Sequence, residues 1–152
     1  MRPTRDAVRD GRRHQHRVYA HRADSPWHAA ALARLSELAE GRAAWALPWP
    51  CIHEFLAIVT HPRIYRPPTP VAGALAQVEA WLESPTLVLL GEADGHWAAL
   101  KRLALAGKLD GPQFHDARVA AICATHGVRE LWTADRDFSR FHGLRVVNPL
   151  VR

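Results

Sequence analysis

Short apolar runs of strand type alternate along this chain with longer helical stretches, and that alternation constrains its fold more than any other feature. Ala44–Leu47, Thr86–Leu90, Glu130–Thr133 and Leu144–Val147 read as strands, and Val18-Tyr19-Ala20-His21 reads as the end of another. Helices are predicted over about 26–40, 50–60, 70–83, 93–106 and 113–126, with a short helical turn at 137–141. Local chemistry sets their limits. Ser25-Pro26 is an N-cap followed by proline at the first helical position, Asp110-Gly111-Pro112 opens the last long helix, and Gly41 and Gly127 are stops. The second helix carries Ile52, Phe55, Leu56 and Val59 on one stripe, whereas the prolines of HPRIYRPPTP (61–70) forbid a helix there. Apolar strands interleaved with helices imply an α/β protein of three layers, α/β/α, with a short central parallel sheet. In such sheets ligands sit at the carboxyl ends of the strands.

With 152 residues and no repeat or linker, the chain is expected to form one domain. Its 48% apolar content excludes general disorder. No apolar run is long enough to cross a membrane, and the Arg-rich start lacks the apolar block of a signal peptide, so a cytoplasmic location without membrane attachment is expected. Cys51 and Cys123 both fall in apolar helical contexts and read as buried free thiols rather than a disulfide or metal framework. The net charge of +5 is unevenly placed: residues 1–17 carry six arginines against Asp6 and Asp10, leaving a single net positive charge for the rest. The basic character therefore belongs to the N-terminal segment and says little about the domain.

Three acidic residues stand out. Asp116 is in the first turn of its helix, in line with Val119, Ala120 and Cys123 at +3, +4 and +7. A first-turn acid complements the helix dipole, but a carboxylate on the buried side is costly unless a cation meets it. Asp135 follows the strand ending at Thr133, where a parallel sheet presents its site; the competing role is turn chemistry. Glu54 lies roughly opposite the centre of its helix's apolar stripe, flanked by Cys51 and Ile58. Asp137, Thr133 and His115 rank second: Asp137 mainly as a cap of the following turn, His115 as a hydrogen-bonding neighbour of Asp116 or a surface residue. His53, Glu54 and His61 do not make a zinc helix, because the histidines are not four apart. The tryptophans are scattered and read as core or cover, not as a base-stacking platform. Three carboxylates on one sheet edge, with no nucleophile, suit Mg²⁺ or Mn²⁺ and metal-assisted phosphodiester cleavage.

Three stretches carry a family resemblance: PWPCIHEFLAIVTHPRI (48–64), VYAHRADSPWHAAA (18–31) and, most specifically, FHDARVAAICATHGVRELWTADRDFSRFHGLRVVNPL (114–150). Over about Val18 to Val151 the chain resembles the PIN-domain ribonucleases, in particular the mycobacterial-style branch of the VapC-type toxins of bacterial toxin–antitoxin pairs. The resemblance implies a PIN-like fold and a divalent-metal-dependent endoribonuclease. It places Glu54, Asp116 and Asp135 at the second, third and fourth acidic positions as catalytic metal ligands for Mg²⁺ or Mn²⁺. It also implies an RNA substrate, a cognate antitoxin protein as partner, and a homodimer.

The first acidic position of the family, an Asp-x-Asn at the end of the first strand, has no counterpart here; His14-Gln15-His16-Arg17 stands in its place. Residues 1–17 are accordingly set apart from the domain (18–152) as an atypical Arg-rich segment read in a shifted frame. With one choice of synonymous codons for Asp10 to His16 (GAT GGA CGT CGA CAT CAA CAT), reading from the second base spells Met-Asp-Val-Asp-Ile-Asn-Ile, the last base being the C that opens the Arg17 codon. On this reading the segment forms no proper strand. Two other functions compete with the nuclease: a catalytically impaired PIN-like domain that binds RNA or protein, and a structural oligomer whose carboxylates are only caps.

Overall fold

The computed structural model describes residues 17–19, 33, 36, 37, 39–133 and 136–148. Within them five strands form one wholly parallel sheet: β1 (Arg17–Tyr19), β2 (Trp45–Pro48), β3 (Leu87–Leu90), β4 (Glu130–Trp132) and β5 (Arg145–Val147), in the order β3-β2-β1-β4-β5. Four helices fill the connections, α1 (Trp49–Val59), α2 (Val71–Leu82), α3 (His96–Gly107) and α4 (Gln113–Thr125), and a 3₁₀ turn spans Arg136–Arg140. Each expected element within the described residues is present, its ends shifted by a few residues at most. The expected helix from Ser25-Pro26 falls largely outside the described residues, although Ala33, Ser36, Glu37, Ala39 and Glu40 are helical. No helix among the described residues is long and apolar enough to cross a membrane.

The layering follows from β2. Side chains of a strand point alternately to opposite faces, yet Trp45, Ala46, Leu47 and Pro48 are all buried. Both faces of the sheet are therefore covered at this point, as the uninterrupted apolar run requires. Trp45 pairs with Leu87 on one side and with Arg17 on the other. Its indole, at 0% exposure, donates Nε1–H to Ser84 Oγ at 3.1 Å, which gives the one polar atom of a buried ring a partner. On α1, the expected stripe points inward: Ile52, Phe55 and Val59 are buried, and Phe55 packs on Trp81 of α2 with ring centroids 4.7 Å apart.

β1 lies at the centre of the sheet. Its residues pair in parallel with β2 (Val18 with Ala46) and with β4 (Val18 with Leu131). The chain steps outward from β1 to β2 to β3, then returns to β4 on the other side of β1 before stepping out to β5. The connections leaving β1 and β4 thus run in opposite directions, which opens a crevice at their carboxyl ends. Arg17, assigned from sequence to the segment preceding the domain, is the first residue of this central strand. Residues 1–16, and with them the expectation that they form no strand, lie outside the described residues.

Ser84→Ala should cost about 1–3 kcal/mol, because it strands a fully buried indole N–H. Urea denaturation of the variant measures this. In a double-mutant cycle, Ser84→Ala should cost less in a Trp45→Phe background, which has no indole N–H to strand, than in the parent.

Candidate active site

Two helix starts and one turn converge near the carboxyl edge of the sheet. α1 begins directly after β2, with Pro50 inside its first turn, where proline's missing N–H costs nothing. Besides its buried stripe, α1 carries a second one in which Pro50, His53, Glu54 and Ala57 recur at helical spacing and line an open cleft. α4 supplies the opposite wall. Its start is fixed by a reciprocal pair: the Asp110 carbonyl accepts Gln113 N–H, and the Gln113 side-chain oxygen accepts Asp110 N–H, both at 3.1 Å. Gly111 between them has φ +46°, a left-handed conformation that suits glycine. Asp116, in the first turn of α4, lines the cleft together with His115 and Arg118. Asp137 of the 3₁₀ turn after β4 completes the wall. The cleft has a volume of about 440 Å³.

Of the three leading sequence candidates, Glu54 and Asp116 meet in this cleft; Asp135 lies outside the described residues. Both carboxylates are half-buried. Beneath Asp116 the predicted stripe is buried as expected, Val119 at 5%, Ala120 at 3% and Cys123 at 0% exposure. Cys51 registers the same convergence from below. Its thiol is pushed well above the ordinary value, first by burial, then by the neighbouring Cys123 thiol and the carboxylates of Glu54 and Asp116. Both cysteines are buried and free, as the sequence suggested.

The second-rank residues divide. His115 is exposed on the cleft wall. Thr133 is buried at 1% exposure, its N–H bonded to the Val147 carbonyl at 2.9 Å, which ties the end of β4 to β5. Asp137 was expected mainly as a cap. The turn instead begins at Arg136, so Asp137 lies inside it: its carbonyl accepts Arg140 Nε–H at 2.9 Å, and its carboxylate lies 3.7 Å from the same guanidinium. That geometry sends its side chain toward the cleft as well as toward Arg140. His61 lies beyond the end of α1, with Nδ1 accepting Arg63 N–H, which bears out the rejection of a zinc helix.

Arg118 and His53 were missed as cleft residues. Arg118 is two positions from Asp116, so helical periodicity alone does not place both on one wall; both line the cleft, and Arg118 also pairs with Glu92 in the connection after β3. The same pairing holds the Glu92 carboxyl below its usual range. His126, at the other end of α4, bonds the Gly91 carbonyl at 2.9 Å, so α4 is tied at two points to the chain leaving β3. His53 was legible in principle, because Pro50, His53, Glu54 and Ala57 form a regular stripe.

The donors facing the cleft are carboxylate oxygens, with imidazoles at the margin, a set that fits a hard divalent cation. Among the described residues, no three His, Cys, Asp or Glu side chains are grouped closely enough to hold a metal by themselves. Mg²⁺ characteristically binds through one or two carboxylates and completes its shell with water and substrate phosphate. Glu54 and Asp116 meet that requirement.

The chain is similar over most of its length to known ribonucleases. No protein-family model matches the chain. Ribonuclease VapC48 of Mycobacterium tuberculosis is 33% identical over 132 residues, covering 87% of this chain and 91% of the relative. Ribonuclease VapC43 of the same organism is 35% identical over 133 residues, covering 88% and 90%. Among solved structures, the crystal structure of VapBC2 from Rickettsia felis bound to a DNA fragment from their promoter superimposes with a TM-score of 0.57 at 13% identity, over 86% of this chain and 98% of that one. At that identity the structural likeness shows a shared fold.

The Cys123 thiol beneath the carboxylates is pushed up to about 12, chiefly by desolvation. The folded chain therefore holds this proton more tightly than the unfolded chain. The resulting stabilisation is complete below the ordinary value of 9.0 and is lost as pH rises from there toward about 12. Cys123→Ala should lessen the alkaline loss of stability by up to about 1.4 kcal/mol per pH unit, read from urea midpoints across that range.

Proposed function

Because the chain belongs to the VapC ribonuclease family, we propose that it is an endoribonuclease, the toxin of a toxin–antitoxin pair, hydrolysing RNA phosphodiester bonds with a divalent cation, Mg²⁺ or Mn²⁺. The observation that carries this reading is the meeting of Glu54 and Asp116, from helices far apart in sequence, in one cleft at the carboxyl edge of a parallel sheet. Glu54 and Asp116 would hold the cation, joined by Asp135 on the family resemblance, with Asp137 at the margin. Bound there, the ion would supply activation of the attacking water and neutralisation of the charge that builds on the phosphate. The protein's own groups position the substrate. The dipole at the α4 start and the Arg118 guanidinium favour an approaching phosphate. The apolar floor of Val119 and Cys123 keeps the carboxylates partly out of water, where their attraction for a cation is stronger. A homodimer and a cognate antitoxin that covers the acidic cleft complete the proposal.

A second reading is favoured by one observation. The strand that carries the family's first aspartate begins here with Arg17, preceded by His14-Gln15-His16. A chain lacking that carboxylate binds RNA or its protein partner with little or no cleavage. We attribute the loss to a reading-frame slip across residues 1–17.

Asp116→Asn and Glu54→Gln should each abolish Mg²⁺ binding by calorimetry and lower RNA cleavage by more than about a hundredfold. Neither should unfold the protein, and Asp116→Asn should match or exceed the parental thermal midpoint because it relieves repulsion between clustered acids. Cleavage at the parental rate by either variant would remove that residue from the site.

The combined change Arg13→Asp, His14→Ile, Gln15→Asn and His16→Ile should raise Mg²⁺-dependent cleavage well above that of the parent chain. Equal activity in the two proteins would refute the frame-slip account.

A further inference from the structure

Of the described tryptophans, Trp97 on α3 and Trp49 at the start of α1 are exposed, and Trp49 is on the helix that carries Glu54. Trp45 and Trp81 are at 0% and 2% exposure, whereas Trp49, the first residue of α1, is at 41%. It stands one helical turn before His53, on the edge of the stripe that lines the acidic cleft. The two rings meet edge to face, with centroids 6.4 Å apart and planes at 82°. Gly91 lies beside the indole, so that a Cβ there would stand at ordinary contact distance, 3.7 Å, from Trp49 Cδ1. The next residue, Glu92, holds Arg118 of the opposite cleft wall through its Nε. A guanidinium bonded through Nε still presents further N–H donors in its plane. A half-exposed aromatic ring and an arginine therefore stand next to two consecutive residues, Gly91 and Glu92, and belong to the two helices that supply Glu54 and Asp116.

We propose that Trp49, braced by His53, is a stacking platform for an unpaired nucleobase of the RNA substrate, and that Arg118 takes a phosphate of the same strand. The proposal rests on the ribonuclease reading and adds to it a binding determinant outside the acidic cluster. Aromatic stacking is tolerant of base identity, so this platform selects single-stranded over paired RNA rather than one sequence. It also assigns a role to an indole that composition alone places in the core or its cover. At 41% exposure the indole of Trp49 leaves surface for a base.

The test is equilibrium binding of a fluorescein-labelled single-stranded oligoribonucleotide of about eight nucleotides. Fluorescence anisotropy reads it in EDTA, so that no cleavage occurs. The same backbone with abasic riboses is measured in parallel. Trp49→Leu, which keeps the apolar bulk and removes the aromatic face, should weaken binding of the base-bearing strand roughly tenfold; Trp49→Phe should retain most of the affinity. Neither should change binding of the abasic strand. Arg118→Gln should weaken both strands and reduce the slope of log affinity against log salt by about one. Parental affinity of Trp49→Leu for the base-bearing strand overturns the stacking role and leaves the ribonuclease reading intact. So does an equal loss on both strands, or a changed oligomeric state with unchanged binding. Failure of the parent chain to bind either strand overturns the stacking role, whereas the ribonuclease reading is overturned by absence of Mg²⁺-dependent cleavage in the parent and in the chain with the rebuilt first strand.

Discussion

Trp45 to Pro48 has no side facing water, and that burial on both faces organises the rest of the molecule. A strand with both faces covered must sit inside a sheet, with neighbours on either hand and helices above and below. β1 and β3 supply the neighbours, and the apolar stripe of α1 with the rings of Phe55 and Trp81 supplies part of the cover. Because β2 ends at Pro48 and α1 starts at the next residue, the direction of β2 also sets where α1 begins. Glu54 reaches the cleft for that reason. Its position is inherited from a strand that carries no functional residue.

The cleft brings together groups that repel one another. Glu54 and Asp116 are both half-buried, and both act on the Cys51 thiol below them, in a molecule whose described core at this point is otherwise apolar. Like charges held close in a medium of reduced polarity are unfavourable unless a cation is added or a proton retained. The fold maintains the arrangement by anchoring the two helices independently. α1 is set by the core packing of Ile52, Phe55 and Val59, while α4 is tied to the connection after β3 by Arg118 and His126. Neither anchor depends on the carboxylates. Such a site is expected where binding, rather than stability, is the purpose of the residues.

The element order and much of the site were legible in the sequence because they rest on local rules. Strand length, proline and glycine placement and the spacing of Ile52, Phe55 and Val59 depend on neighbours within a few residues. The +3, +4 and +7 relation of Asp116 to Val119, Ala120 and Cys123 belongs to the same class and marked the acid as facing inward. Arg118 was missed for the opposite reason. Asp137 lies one residue inside the 3₁₀ turn that it was expected to open, and a one-residue boundary is below what local preferences resolve. The pairing of Arg118 with Glu92 joins two connections far apart in sequence.

What the sequence by itself determined is the alternation of strands and helices, the burial of β2 and the three acids worth watching, since each follows from periodicity and from the chemistry of single residues. The tertiary structure decided which residues share a cleft. Strand order places β1 between β2 and β4, and no local preference encodes that order. It arises from packing both faces of one sheet at once, and it alone brings the start of α1, the start of α4 and the turn after β4 to a common crevice. The exposure of Trp49 is a decision of the same kind: indoles with the same intrinsic hydrophobicity end in the core at Trp45 and on a rim at Trp49, because the strand ends between them.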